Sequence, residues 1–98
     1  MSEILNSQAI DLKALRRQDK QAFAELVNQN STHIYRLGLK MTGNPQDAED
    51  VLQETFIKAY DHIENFEKRS KISTWLYRIA VNEALMLPRK RKAGIDSL

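Results

Sequence analysis

The sequence predicts an all-α fold, a compact bundle of about four helices, within one domain spanning residues 1–98. Apolar residues recur at intervals of three and four along most of the chain, which is the spacing of one face of an α-helix. No segment shows the alternation of apolar and polar residues that is typical of a half-buried strand. With 42% hydrophobic and 29% charged residues, the chain is long enough to bury a modest core.

The N-terminal part, residues 1–18, is predicted to contain one short helix from Ala9 to Arg17, anchored by a few aliphatic side chains. The core of the domain is predicted to span residues 19–87. Asp19 suits the N-cap of a second helix, from Lys20 to about Met41, because its carboxylate can accept hydrogen bonds from the first free amides. The polar run at residues 28–32 is expected to loosen this helix near its middle.

The tripeptide Gly43-Asn44-Pro45 predicts the end of the second helix and the start of a third, from Pro45 to about His62. Glycine tolerates the left-handed conformation after a helix, asparagine is a good N-cap, and proline suits the first helical position. The inner face is predicted to contain Ala48, Val51, Leu52, Thr55 and Ala59. The outer face is predicted to carry Asp47, Asp50, Glu54 and Asp61, with Gln53, Phe56 and Tyr60 beside them.

The position of Phe56 in the sequence allows two interpretations. A large aromatic side chain beside an acidic stripe is unusual on a solvated helix and suggests a binding surface. Burial in the core is the simpler interpretation, because most phenylalanine side chains are buried.

Residues 64–70 are predicted to form a connecting loop in which Phe66 is the only apolar residue. Ser70 is a candidate cap for the fourth helix, which is expected from Lys71 to about Leu87. Pro88 has no amide donor and its ring clashes with the preceding turn, so a stop or a kink is expected there. Residues 88–98 are then expected to be a frayed basic tail.

The fourth helix is predicted to have two different faces. One stripe is apolar and contains Ile72, Trp75, Leu76, Ile79 and Ala80. Another stripe is polar and cationic and contains Lys71, Arg78, Asn82 and Arg89, with Trp75 at the boundary between the two. Cations bind phosphate, an amide can read a base edge, and an aromatic ring can stack on an unpaired base. A core helix with a solvated basic face is the simpler alternative.

Charge divides the chain at the predicted loop. Residues 44–67 contain seven acidic side chains and one basic one, whereas residues 68–92 contain eight basic side chains and one acidic one. Adjoining segments of opposite sign suit two different partners, one basic and one polyanionic. Mutual neutralisation within the fold is the alternative.

Several kinds of chemistry have no support in the sequence. The absence of cysteine excludes disulfides and thiolate metal sites, and it fits a cytoplasmic location. His33 and His62 lie on different predicted helices without the spacing of metal ligands, so no metal is expected. Motifs for nucleophilic catalysis, phosphate-binding glycine loops and zinc hydrolysis do not occur, so we expect neither an enzyme nor a cofactor. No signal peptide or membrane-spanning run is apparent, and membrane insertion is not expected.

Three segments, taken together, resemble region 2 of bacterial sigma factors, in particular the small extracytoplasmic-function (ECF) group of the sigma-70 family. In order, they are DKQAFAELV, GNPQDAEDVLQETFIKAY and FEKRSKISTWLYRIAVN. The resemblance extends from Asp19 to Asn82, which is most of the chain. It implies a compact helical domain of a transcription initiation factor.

The resemblance also implies two partners. In this family the acidic helix docks on the clamp helices of the largest subunit of core RNA polymerase. Here that role would fall to Tyr35, Leu39, Asp47, Asp50, Gln53, Glu54 and Phe56. The loop and the following helix capture the melted non-template strand of the −10 promoter element. Here that role would fall to Asn65, Phe66, Lys68, Arg69, Ser70, Lys71, Thr74, Trp75, Tyr77, Arg78 and Asn82.

Two further interpretations remain open. An anti-sigma factor that covers the polymerase-binding residues is a further partner expected from the resemblance. A module held mainly by that regulator would use the same residues. A helical domain that reads duplex DNA is less favoured, because the one sharp turn leads into the acidic helix, which phosphate would repel. The sequence stops at Leu98, so we expect the family's helix-turn-helix domain, which reads the −35 element, to be absent from this chain.

Overall fold

The computed structural model describes residues 11–67 and 69–96, with side chains described as far as residue 87. Within these described residues, four α-helices follow one another. They are α1 (Leu12–Arg16), α2 (Lys20–Thr42), α3 (Pro45–His62) and α4 (Ile72–Asp96), with a short 3₁₀ helix (Ile63–Asn65) after α3. The described residues contain no strand, and the all-α prediction is confirmed.

Helix α1 is shorter than the predicted segment. Asp11 caps it by accepting hydrogen bonds from the amides of Lys13 at 3.0 Å and Ala14 at 3.2 Å. Helix α1 therefore begins directly after this aspartate, and the predicted residues 9 and 10 lie outside the described part of the chain. Ala14 and Leu15 are buried, which anchors α1 on the bundle.

Helix α2 has the predicted ends. Asp19 accepts a hydrogen bond from the amide of Ala22 at 2.9 Å, and Gly43 ends the helix with φ of 71°, donating its amide to Leu39 at 2.8 Å. The predicted loosening at residues 28–32 is wrong, because the helix is continuous there. Apolar side chains on either side of this polar run are fully buried, and they hold its backbone in the helix.

Helix α3 lies closely against α2. Asn44 caps α3 as predicted, accepting hydrogen bonds from the amides of Gln46 at 2.8 Å and Asp47 at 3.2 Å. The two helices approach each other closely at Gly38, where an added Cβ would lie 3.2 Å from the Cα of Ala48. A larger residue at this position would push the two helices apart.

The core is formed by apolar side chains from all four helices and from the turn after α3. Its fully or almost fully buried members include Leu15, Leu26, Ile34, Val51, Ile63, Leu76 and Ala80. Phe23, Leu52, Ile72, Trp75 and Ile79 are partly buried and pack against them. The predicted apolar stripes of α3 and α4 therefore face the core.

Helix α4 differs from the prediction at both ends. Its first hydrogen bond runs from the amide of Trp75 to the carbonyl of Lys71 at 3.1 Å, so Lys71 occupies the capping position that was predicted for Ser70. The predicted stop at Pro88 and the frayed tail are wrong, since the helix continues to Asp96. Proline removes one amide donor, but the basic residues after it are good helix formers.

Candidate protein and nucleic-acid interfaces

The outer face of α3 carries a row of acidic and polar side chains with one aliphatic side chain among them. This acidic row consists of Asp50, Gln53, Glu54, Ile57 and Asp61. Their spacing places them on adjacent turns of one helix face. Ile57 is 53% exposed, so a large apolar side chain faces solvent between the acids. A surface of this composition suits a partner that offers both cations and an apolar contact.

Two shallow hollows border α3 on the side of α2. One contains Tyr35 and Leu39 from α2 together with Glu49 and Leu52 from α3. The other is lined mainly by Phe23, Gln53, Phe56, Ile57, Tyr60 and Asp61. Both hollows combine apolar floors with acidic or amide rims.

A cleft opens between the middle of α2 and the beginning of α4. Leu12, Phe66 and Ile72 contribute apolar surface to it. Its polar lining comes from Gln29, Asn30 and His33 on α2 and from Ser70, Lys71, Ser73, Thr74 and Tyr77 at the start of α4. Apolar surface with a cation, hydroxyl groups and a tyrosine at its edge suits a flat, polar ring attached to a phosphate.

The position of Phe66 within this cleft is fixed from two sides. Its ring is 5% exposed and lies against Trp75, with ring centroids 5.3 Å apart. The Nε of Arg16 donates a hydrogen bond to its carbonyl oxygen at 3.2 Å. These contacts tie the loop before α4 to both α1 and the core.

An ion pair joins α3 to α4. The Lys58 ammonium donates a hydrogen bond to the Glu83 carboxylate, and this bond, together with the negative charges of Glu83 and Glu54, raises the pKa of Lys58 above its usual value. The pair therefore connects the helix that carries the acidic row to the helix that borders the cleft.

The described residues offer no metal site and no helix suited to crossing a membrane. His33 and His62 are exposed, and no group of three or more potential ligand side chains gathers in the described ranges. Within the same ranges no helix has both the length and the apolar character needed to span a bilayer.

The family model for sigma-70 region 2 matches residues 26–94, from the second turn of α2 into the last turns of α4. The chain belongs to the sigma-70 region 2 family. The resemblance drawn from its motifs to the ECF group is confirmed.

Curated sigma factors are similar to this chain over most of its length. The ECF RNA polymerase sigma factor SigW of Bacillus subtilis is 44% identical over 81 residues, covering 83% of this chain and 43% of that protein. The ECF RNA polymerase sigma-E factor of Haemophilus influenzae is 43% identical over 84 residues, covering 86% of this chain and 43% of that protein. The region 2 chain thus spans less than half the length of these relatives.

The region 2 residues predicted to bind polymerase fall into two groups. Asp50, Gln53 and Glu54 lie in the acidic row, while Tyr35 and Leu39 lie in the hollow beside it. Sequence reasoning missed Ile57, although it is seven residues after Asp50 and therefore on the same helix face.

Two of the predicted polymerase-binding residues are not on the outer face. Asp47 is 6% exposed because it lies one turn before Val51 on the inner stripe. Phe56 is 8% exposed and packs edge-to-face on Phe23, with centroids 6.2 Å apart. The core interpretation of Phe56 is therefore the one that the structure supports.

The predicted DNA-binding residues are divided between the cleft and the surface around it. The cleft brings together Phe66, Ser70, Lys71, Thr74 and Tyr77. Asn65, Arg69, Arg78 and Asn82 are exposed but do not line it, and Trp75 is half-buried. Lys68 and Arg89 are outside the residues whose side chains the structure describes.

Two of these placements change the prediction. Phe66 was expected to be available in an open loop, but burial against the core leaves only the part of its ring that borders the cleft. Asn82 instead borders a shallow hollow with Lys58 and His62, away from the cleft. The α2 wall of the cleft, formed by Gln29, Asn30 and His33, was missed because these residues belong to a polar run with no motif of its own.

Proposed function

We propose that this chain is the part of a transcription initiation factor that binds core RNA polymerase and the non-template strand of the −10 promoter element. Membership of the sigma-70 region 2 family supports this role, as do relatives whose names identify them as RNA polymerase sigma factors. The observation that carries the proposal is the cleft between α2 and α4, because it suits an unpaired base.

The cleft is proposed to receive one base extruded from the DNA strand. Phe66 and Ile72 offer an apolar floor, and the ring of Tyr77, with the residue 36% exposed, is available for stacking. Lys71 at the rim supplies a positive charge for the adjacent phosphate. A base in an intact duplex is paired and stacked, so it cannot enter such a cleft without being extruded. Melted or single-stranded DNA is therefore the preferred form.

The exposed cations outside the cleft are proposed to hold the sugar-phosphate backbone. Arg78 projects from the same helix as Lys71, and its attraction for phosphate is independent of base sequence. The Nε of Arg69 lies 2.9 Å from the Oε1 of Glu67, but both side chains are largely exposed. Arg69 can therefore exchange this carboxylate for a DNA phosphate at little cost in free energy. Asn82 is proposed to donate to or accept from a base or sugar further along the strand.

The acidic row of α3 is proposed to bind the polymerase clamp helices. Asp50 and Glu54 would pair with cations of the partner, and the exposed side chain of Ile57 would be buried at the centre of the contact. Tyr35 and Leu39 extend this surface onto α2. A regulator of the anti-sigma type that covers the same row would compete with polymerase.

The direct test of this assignment is binding of the purified chain to core RNA polymerase. We expect a complex that Glu54→Lys weakens and that a matched charge reversal at exposed Glu25, on α2 and outside the acidic row, leaves intact. Failure of the wild-type chain to bind core polymerase would contradict the proposed function.

A further inference from the structure

Asn30 has a side-chain amide in the middle of α2, and one of its four hydrogen-bonding positions is already used. Its residue exposure is 7%, and its Nδ2 donates to the carbonyl oxygen of Leu26 at 2.9 Å. A carbonyl oxygen only accepts hydrogen bonds, so the amino side of the amide must face Leu26. The Oδ1 atom of Asn30 is consequently the acceptor directed elsewhere.

The environment of this oxygen indicates where it is directed. Among the described residues, Asn30 Oδ1 has no hydrogen-bond partner. Within the same residues, no fully buried side-chain polar atom lacks a partner, so Oδ1 must be in contact with solvent. Asn30 lines the cleft between α2 and α4, and the cleft is therefore the space into which this acceptor opens.

We propose that Asn30 is a specificity-determining residue, whose Oδ1 accepts a hydrogen bond from the exocyclic amino group of the base in the cleft. This inference rests on the proposed function, in which the cleft holds one unpaired base. Cytosine and adenine present an amino group at the position where thymine presents a carbonyl oxygen. Thymine would place that oxygen against Oδ1, and two acceptors facing each other in a partly desolvated cleft are unfavourable. The cleft therefore selects cytosine or adenine over thymine.

The size of the preference follows from a single hydrogen bond. One neutral bond contributes about 1 kcal/mol, which corresponds to roughly a 5-fold difference in affinity. Asn28 provides the matched control, since it is an exposed asparagine on the same helix that does not line the cleft. Replacement of either residue by alanine removes the same side-chain amide. Only Asn30→Ala removes an acceptor from the cleft.

The test is an NMR titration of the isotope-labelled chain, a method that measures weak binding. The probes are a short oligothymidylate, the same strand with one central cytosine, and the same strand with 2-pyrimidinone, which lacks only the amino group. We expect the cytosine strand to bind roughly 5-fold more tightly than the other two. Asn30→Ala is expected to make all three affinities equal, while Asn28→Ala retains the preference. Dispersed amide spectra report that each variant is folded.

The outcomes separate the two proposals. Equal affinities of the wild-type chain for the cytosine and 2-pyrimidinone strands would overturn the role of Asn30 without requiring any variant. A preference that persists in folded Asn30→Ala would overturn it as well, and in both cases strand binding itself would stand. If none of the strands binds, the proposed DNA function fails together with this inference.

Discussion

Lys58 on α3 and Glu83 on α4 form an ion pair whose two side chains are buried to very different degrees. The Glu83 side chain is 2% exposed, whereas the Lys58 side chain is 38% exposed. Their bond links the helix proposed to bind polymerase to the helix proposed to bind DNA. Loss of either partner therefore affects the packing of α3 on α4, but not to the same extent.

We predict that Lys58→Met destabilises the fold more than Glu83→Gln does. The first change removes the ammonium beside a deeply buried carboxylate, and because this lysine is itself partly exposed, the expected loss of unfolding free energy is about 1.5–3 kcal/mol, as for a hydrogen bond to a charged group. The second change leaves a partly exposed lysine that water can solvate, and glutamine keeps an oxygen acceptor. Chemical denaturation of both variants at neutral pH checks the order. An equal loss of stability in the two variants, or a greater loss for Glu83→Gln, would contradict the predicted order.

The pair also predicts how stability depends on pH in alkaline solution. The pKa of Lys58 is raised in the folded state above the ordinary value of 10.5, chiefly by its hydrogen bond to Glu83. The contribution of the pair is therefore fully present below pH 10.5 and is lost as pH rises through the higher folded-state value. The melting temperatures of wild type and Lys58→Met should therefore converge as the pH rises above 10.5. A constant difference between them would show that this lysine does not titrate as expected.

For polymerase binding, we predict that Ile57 and the acids of its row act together. Glu54→Lys, or Asp50→Lys combined with Gln53→Ala, should weaken binding by about 2–5 kcal/mol if the charges become buried at the interface. Ile57→Ser should weaken binding too, because burial of an exposed aliphatic side chain at the interface contributes favourable free energy. Surface plasmon resonance with immobilised core polymerase gives the affinities, and circular dichroism confirms the helical content. Folded variants with wild-type affinity would remove the row from the interface.

Trp75 is predicted to contribute to stability mainly through its contact with Phe66. Trp75→Ala should lower the free energy of unfolding by roughly 3 kcal/mol. This is the lower end of the range for truncating a large aromatic side chain, because the ring is only partly buried. Trp75→Phe should cost less, since it retains an aromatic ring beside Phe66. Thermal denaturation distinguishes them. An unchanged midpoint for the alanine variant would mean that the indole is not a structural contact.

Arg78 and Asn82 are predicted to have different effects on DNA binding. Arg78→Ala should lower the affinity for all single strands alike and reduce the salt slope by about 0.7, the value for one lost phosphate contact. Asn82→Ala should reduce the preference between sequences more than the affinity itself. Anisotropy titrations at several salt concentrations measure both quantities. A sequence-dependent loss for Arg78→Ala would reverse the assignment.

Sequence reasoning was most successful where a local chemical rule decides the structure. Asp19, Gly43 and Asn44 set helix ends through capping and the left-handed conformation, and these rules depend on near neighbours only. The motifs of α3 and α4 identified the family for the same reason, since each is a short contiguous segment.

Other errors concern residues whose environment is formed by distant parts of the chain. Phe66 stands in a polar loop, yet Arg16 and Trp75 hold it in the core. Asn30 lies in a run of polar residues that was predicted only to loosen α2, yet it lines a cleft. Contacts of this kind depend on how helices pack, and no pattern along the sequence reports them.

The central claim is that the chain prefers an unpaired −10 strand, and fluorescence anisotropy with polymerase-bound protein tests it most directly. Labelled oligonucleotides carrying the non-template −10 sequence, its complement and the intact duplex are titrated at two salt concentrations. We expect the tightest binding for the non-template strand and weaker binding for the other two at both concentrations. Equal affinity for all three would contradict it, and would leave only a basic surface without a base-selective cleft.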